Sequence, residues 1–97
     1  MATYLLLISY TDEGIRTIKK SPDRINAVHA EAEKLGMKIK DSYSTTGAYD
    51  GVMIAEAPND ETMTTLALRI ASRGNVRTQT LRAFSLDEFD RILKNVD

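Results

Sequence analysis

Apolar residues along this chain change period from one stretch to the next, and the changes predict its elements. Thr3 to Tyr10 reads TYLLLISY, a continuous apolar run. A strand with one wet face would alternate, so this run predicts a central strand covered on both sides. Thr11 or Asp12 can cap a helix that starts at Glu13 and is expected to carry Ile15 and Ile18 inward. Ser21-Pro22-Asp23 reads as a second helix start, with serine as N-cap, proline in the first turn and an acid near the positive end. The first helical region is therefore expected to break or kink at Pro22. Beyond it Ile25, Val28, Ala32 and Leu35 recur at helical spacing until Gly36 stops the helix.

Met37 to Thr45 alternates. Met37, Ile39, Asp41, Tyr43 and Thr45 are expected on one face and Lys38, Lys40, Ser42 and Ser44 on the other, where the lysines suit a protected edge. Gly47 to Gly51 is a turn, and Val52 to Ala57 completes a hairpin. Pro58-Asn59-Asp60 caps a helix with Met63, Leu66, Ala67, Ile70 and Ala71 on its apolar side, closed by Gly74-Asn75. Val76 to Phe84 is the last strand. Ser85-Leu86-Asp87-Glu88 has the capping-box pattern and opens a final helix with Leu86, Phe89, Ile92 and Leu93 on one side. The order β-α-β-β-α-β is that of a ferredoxin-like α+β fold. We expect a four-stranded antiparallel sheet, an extra C-terminal helix and a single domain over residues 1–97.

In that arrangement both main helices cover one face of the sheet. In the first strand Leu5 and Leu7 point one way and Tyr4, Leu6 and Ile8 the other, so one apolar set is left without a helix. Leaving it in water forgoes roughly 1.5–3 kcal/mol per large side chain. A second subunit packed sheet to sheet, as in dimeric α/β barrels, is the expected remedy, and the C-terminal helix folding over the open face is the alternative. Two sheets packed in this way tend to enclose a cavity.

Composition narrows the field. A chain of 97 residues has room for one domain. The net charge of −1, with acids and bases interspersed, argues against a nucleic-acid partner. RNA-binding domains of this fold carry aromatics on the central strands in a basic context, and Val52 to Ala57 has none. The absence of cysteine excludes disulfides, thiolate catalysis and cysteine-based metal sites. Tyr4 to Ile8 falls far short of the ~20 residues of a membrane span, and it starts at the fourth residue without a basic leader. The expectation is a cytoplasmic protein with no membrane partner.

Candidate chemistry is sparse. Tyr43, Tyr49 and Asp50, with Thr45 and Thr46, cluster around the hairpin turn, where phenol donors and a carboxylate could line a pocket mouth. Equally, Asp50 beside Gly51 is an ordinary turn residue whose carboxylate bonds backbone N–H groups. His29, the only histidine, sits at the border of the helical stripe, a position that is more often structural or solvated than catalytic. With one histidine and no cluster of acids, no metal site is expected. Arg77 and Arg82 lie on opposite faces of the last strand, and whichever faces a cavity could take an anion or carboxylate. There is no phosphate-binding glycine loop, and no cofactor is expected.

Three segments together, MATYLLLISYTDEGIR, YSTTGAYD followed by VMIAEAPNDE, and GNVRTQTLRAFS, closely resemble the GYD domain family. The Gly-Tyr-Asp motif that names the family appears here as Gly47-Ala48-Tyr49-Asp50, with an alanine inserted. The resemblance covers nearly the whole chain. It implies a small bacterial ferredoxin-like protein related in fold to the dimeric α/β barrels, of largely uncharacterised function. It brings no catalytic residues to carry over.

The leading expectation is a homodimer or higher homo-oligomer that acts as a ligand-binding or regulatory module with an inter-subunit cavity. One alternative is a cofactor-free enzyme acting on a small hydrophobic or aromatic metabolite, with His29, Tyr43, Tyr49 or Asp50 as acid, base or donor. The other is a purely structural assembly protein. The identity of a small-molecule ligand is not legible in the sequence.

Overall fold

Strand β1 (Ala2–Tyr10) takes an interior place in the sheet, as its unbroken apolar run demands. The computed structural model describes residues 1–97. After β1 come a short helix α1 (Asp12–Arg16), a 3-10 turn (Ile18–Lys20) and helix α2 (Ser21–Lys34). The hairpin of β2 (Lys38–Ser44) and β3 (Gly51–Ala57) follows, then α3 (Asp60–Ser72), β4 (Val76–Ala83) and α4 (Leu86–Leu93). The sheet order is β2-β3-β1-β4, every pair antiparallel, which is the expected ferredoxin-like α+β arrangement.

The register sets the two faces. Leu6 lies between Met53 and Thr80, and Tyr4 between Ala55 and Arg82. On this side Tyr4, Leu6, Met53, Ala55 and Ala57 are buried against Val28 and Ala32 of α2 and Met63, Leu66 and Ile70 of α3. The alternate residues Leu5, Leu7, Val52 and Ile54 face away from the helices and are only partly covered.

Helix ends follow local chemistry. Asn59 accepts a 2.9 Å bond from the Thr62 N–H at the start of α3, and Ser85 and Glu88 form a complete capping box on α4. Gly36 and Gly74 close α2 and α3 at φ of +76° and +81°, a conformation that glycine adopts without steric cost. Gly14 serves a different need. A Cβ there would lie 1.9 Å from the Asn75 carbonyl oxygen, so only glycine lets α1 pack onto the chain entering β4.

Three local expectations are corrected. Ile15 and Ile18 are not turned inward. They are 54% and 36% exposed, because the helix ends at Arg16 and the tighter 3-10 turn carries the chain away from the sheet. Ser21 is the first residue of α2 rather than its cap, and the break falls before Pro22, between Arg16 and Ser21.

The simple alternation of β2 is interrupted as well. Ile39 pairs with Ala55 but Asp41 pairs with Ile54, so Lys40 is an extra residue in a β-bulge. Beyond the bulge the faces exchange. Ser42, opposite Met53, and Ser44, opposite Gly51, turn toward the helices, while Asp41 and Tyr43 join the open face.

The C-terminal helix does not cover that open face. Leu86, Phe89, Ile92, Leu93 and Val96 are 82%, 48%, 39%, 45% and 64% exposed. Its projection from the body shows in the dimensions of 50 × 31 × 19 Å and a radius of gyration of 14.6 Å, against about 12.5 Å for a compact chain of this length.

Candidate functional site

The bulge has a consequence for the helix side of the sheet. At the end where β1 and β3 meet, it presents Ser42, Ser44 and Gly51 to α2, where an uninterrupted register would have presented Tyr43. Small side chains on the sheet and a helix that stands off it leave a cavity of about 380 Å³. Its walls are mainly apolar: Ile8, Val28, Met53, Ile70 and Val76, with Ile25 at 44% exposure where the cavity reaches the surface. A volume of this size is within the range of small-molecule sites.

The polar groups of the cavity are arranged unequally. Arg24 is held at the margin, its guanidinium donating to the Thr17 hydroxyl at 2.7 Å and the Thr17 carbonyl at 3.3 Å. Asp50 accepts the Tyr10 N–H at 2.8 Å, and its own N–H donates to the Ile8 carbonyl at 2.8 Å. Glu31 of α2 pairs through Oε1 with Arg73 at the end of α3. The other oxygen, Oε2, is shielded from solvent and receives no hydrogen bond from the chain. Leaving a buried acceptor unmet costs about 1–3 kcal/mol, more for a charged group.

The open face forms a second surface. Leu5, Leu7, Val52 and Ile54 run across β1 and β3, joined by Leu81 of β4, which is 39% exposed. Its polar end is built by Tyr49, whose hydroxyl donates to Gln79 Oε1 at 2.8 Å. Thr45 steadies this turn by donating from its hydroxyl to the Tyr49 carbonyl at 2.6 Å.

Of the residues singled out in the sequence, Tyr43 and Asp50 both border the cavity, and His29, Tyr49, Arg77 and Arg82 do not. His29 lies over the edge strand, 3.4 Å from the Ser42 hydroxyl. Tyr43 is 58% exposed on the far side of that strand. Asp50 performs the backbone-capping role described above. Arg77 is exposed on the open face opposite Ser9 and makes no ion pair. Arg82 is on the helix side, where its guanidinium sits 4.5 Å from the Phe84 ring centre and 5.7 Å from that of Tyr4. It also donates to the Thr3 carbonyl at 3.2 Å and reaches Glu88 at 3.5 Å. Beneath it the Tyr4 hydroxyl donates to Asp60. That bond, helped by burial and the Asp60 charge, raises the Tyr4 pKa above its ordinary value.

Sequence reasoning passed over Glu31 and Arg73. Glu31 stands three residues after Val28, on the border of the buried stripe, and an acid there was a readable signal. Arg73 carried none, since its role depends on where the end of α3 falls beside α2. No group of three or more histidine, cysteine, aspartate or glutamate side chains is placed to hold a metal, and no helix is long and apolar enough to cross a membrane.

Known proteins share both the sequence and the fold. The chain is 37% identical over 95 residues to the glutamine synthetase and cystathionine beta-lyase binding protein of Thermus thermophilus, covering 97% of this chain and 100% of that one. The crystal structure of a Thermus thermophilus protein superposes with a TM-score of 0.56 at 28% identity, over 88% of this chain and 95% of that one. The leucine response regulatory protein of Mycobacterium tuberculosis shares the fold, with a TM-score of 0.57 at 20% identity over 87% of this chain and 51% of that chain. The model of the GYD domain matches residues 4–93, and the chain belongs to the GYD domain family.

Proposed function

We propose that the protein is a self-associating binding module of regulatory type, whose copies meet through the open face of the sheet. The observation that carries this reading is the apolar strip of Leu5, Leu7, Val52, Ile54 and Leu81, which neither the two main helices nor α4 covers. At roughly 1.5–3 kcal/mol per large side chain, burying it in an isologous dimer offsets much of the cost of association. The exposed apolar side of α4 adds to the surface that a second copy can bury. Gln79, Tyr49 and Arg77 keep one end of the seam polar, which leaves room for an inter-subunit cavity there.

A binding role toward other proteins is supported by the relative from Thermus thermophilus, whose name describes it as binding two enzymes. The enzyme reading draws no such support: Tyr43 and Asp50 both border the cavity, but the Asp50 carboxylate is held by the Tyr10 N–H, and His29 and Tyr49 do not line it. The proposal includes residence in the cytoplasm, in keeping with a chain that has no cysteine.

Native mass spectrometry at micromolar concentration tests the assembly. The expected result is a dimer or larger closed oligomer, converted to monomer by Leu81→Lys. A monomeric wild-type protein would overturn it. Immobilised protein should also retain glutamine synthetase or cystathionine beta-lyase from the same source, and failure to retain either would remove the partner half of the reading.

A further inference from the structure

The cavity beneath α2 lies on the opposite side of the sheet from the proposed seam, so it calls for its own explanation. Protein interiors are packed as densely as organic crystals, and a space of about 380 Å³ is far larger than ordinary packing defects. The chain maintains it by construction. The bulge at Lys40 turns Ser42 and Ser44 toward α2 in place of Tyr43, and Gly51, on the floor, has no side chain to fill it.

The wall that meets this space is apolar almost throughout, built from Ile8, Val28, Met53, Ile70 and Val76. Its charged residues balance, Glu31 and Asp50 against Arg24 and Arg73, and each is engaged by the chain. Both terminal nitrogens of Arg24 are turned to Thr17, Arg73 is held by Glu31, and the Asp50 carboxylate accepts the Tyr10 N–H. The second Glu31 oxygen is closed off from the cavity as it is from solvent. The other polar side chains, Ser21, Ser42, Ser44 and Asn75, are neutral. A charged ligand entering here would give up its hydration without meeting a free counter-charge.

Water suits the space no better. A volume of this size has room for about a dozen molecules, each in need of about two to four polar partners, which an apolar wall does not supply. Displacing such loosely held water with an apolar group gains affinity. A cavity of roughly 150 Å³ accommodates a single benzene ring, so the volume here suits a ring carrying a short chain, or two fused rings.

We propose that this cavity is a binding site for an uncharged, largely apolar molecule of that size. The ligand seats between α2 and the β2–β3 hairpin and enters beside the exposed Ile25.

Three probes of one shape test it. Butylbenzene, phenylpropylamine and phenylbutyrate share a ring and a three-carbon chain that ends in a methyl group, an ammonium or a carboxylate. Each is titrated into the intact protein at submillimolar concentration and followed by NMR. The methyl resonances of Met53 and Ile70 report on the cavity, and those of Leu81 and Leu93 on the apolar surfaces outside it. Butylbenzene should shift Met53 and Ile70 saturably and leave Leu81 and Leu93 in place, with both charged probes weaker by at least about tenfold.

Ala27→Phe and Ser44→Phe fill the cavity from the helix and from the sheet. Either should abolish the butylbenzene shifts while the amide dispersion of a folded protein is kept. Ala27 is exposed on α2, so a larger side chain there disturbs the fold least. The proposal is overturned if butylbenzene leaves Met53 and Ile70 unmoved or moves all four methyls together. It is overturned equally if either charged probe binds as tightly, or if a folded variant with the cavity filled still binds butylbenzene unchanged. None of these outcomes depends on self-association, which is read separately by mass.

Discussion

The Tyr49 hydroxyl donates a 2.8 Å hydrogen bond to Gln79 Oε1 and so ties the β2–β3 turn to the edge strand β4 across the face opposite the helices. The turn is fastened from the other side as well, through the Asp50 carboxylate on the Tyr10 N–H. The two residues that survive unchanged from the family's name motif thus act as neighbouring clasps on different strands.

Tyr49→Phe removes one clasp and keeps the ring. An exposed neutral hydrogen bond is worth about 0.5 kcal/mol, so a fall in melting temperature of about 2–4 °C is expected. Amide exchange should speed up between residues 45 and 50. An unaltered exchange pattern would show that the bond does not restrain the turn in solution.

Gly14→Ala decides between two opposing effects. In an exposed helix alanine gains about 0.5–1 kcal/mol over glycine. Here its Cβ would meet the Asn75 carbonyl oxygen at 1.9 Å, and forced overpacking costs about 1–3 kcal/mol. Net destabilisation in thermal or urea unfolding is expected, and stabilisation would mean that α1 does not dock on Asn75.

Tyr4 makes stability sensitive to alkali. Its folded pKa is raised, first by the hydrogen bond to Asp60, then by burial and the Asp60 charge, with Arg82 opposing. A raised value means that the native state favours the protonated phenol. Its contribution is complete below the unfolded value of about 10 and is lost as pH rises through the folded one. Urea unfolding from pH 8 upward should therefore show a falling alkaline limb. Tyr4→Phe should flatten it and lower stability at pH 8 by on the order of 1 kcal/mol.

The capping box of α4 responds to acid. Glu88 has its pKa lowered, chiefly by the Ser85 backbone N–H, with the Ser85 side chain and Arg82 adding to the effect against a smaller cost of burial. A depressed carboxylate contributes above its unfolded pKa and stops contributing as pH falls through the folded one. Amide protection over residues 86–93 should decline in that acid range. Ser85→Ala should lower it at neutral pH too, while protection in β1 and α3 stays the same, since their core side chains are buried without α4.

Much of the fold was legible because it rests on local rules. The run from Tyr4 to Ile8 required an interior strand. Met63, Leu66 and Ile70 at helical spacing required a buried helix face, and Ser85 with Glu88 required a helix start. Arg82 and Arg77 were correctly assigned to opposite faces of the last strand, because alternation is a property of the strand itself. Which of those faces met the helices depended on pairing with β1, and pairing is not local.

What only the tertiary structure decided has the same cause throughout. A β-bulge costs one residue of register and leaves no composition signature, so the exchange of Tyr43 for Ser42 and Ser44 could not be read from an alternating segment. Ile15 and Ile18 fell outside the core because a short helix and a 3-10 turn led the chain away before their spacing could meet the sheet. Glu31 and Arg73, 42 residues apart, became partners only when α2 and α3 were laid side by side. The sequence determined the elements and their apolar faces through interactions within a few residues. The cavity and the Glu31–Arg73 pair arose from register and helix placement, which many distant contacts set together.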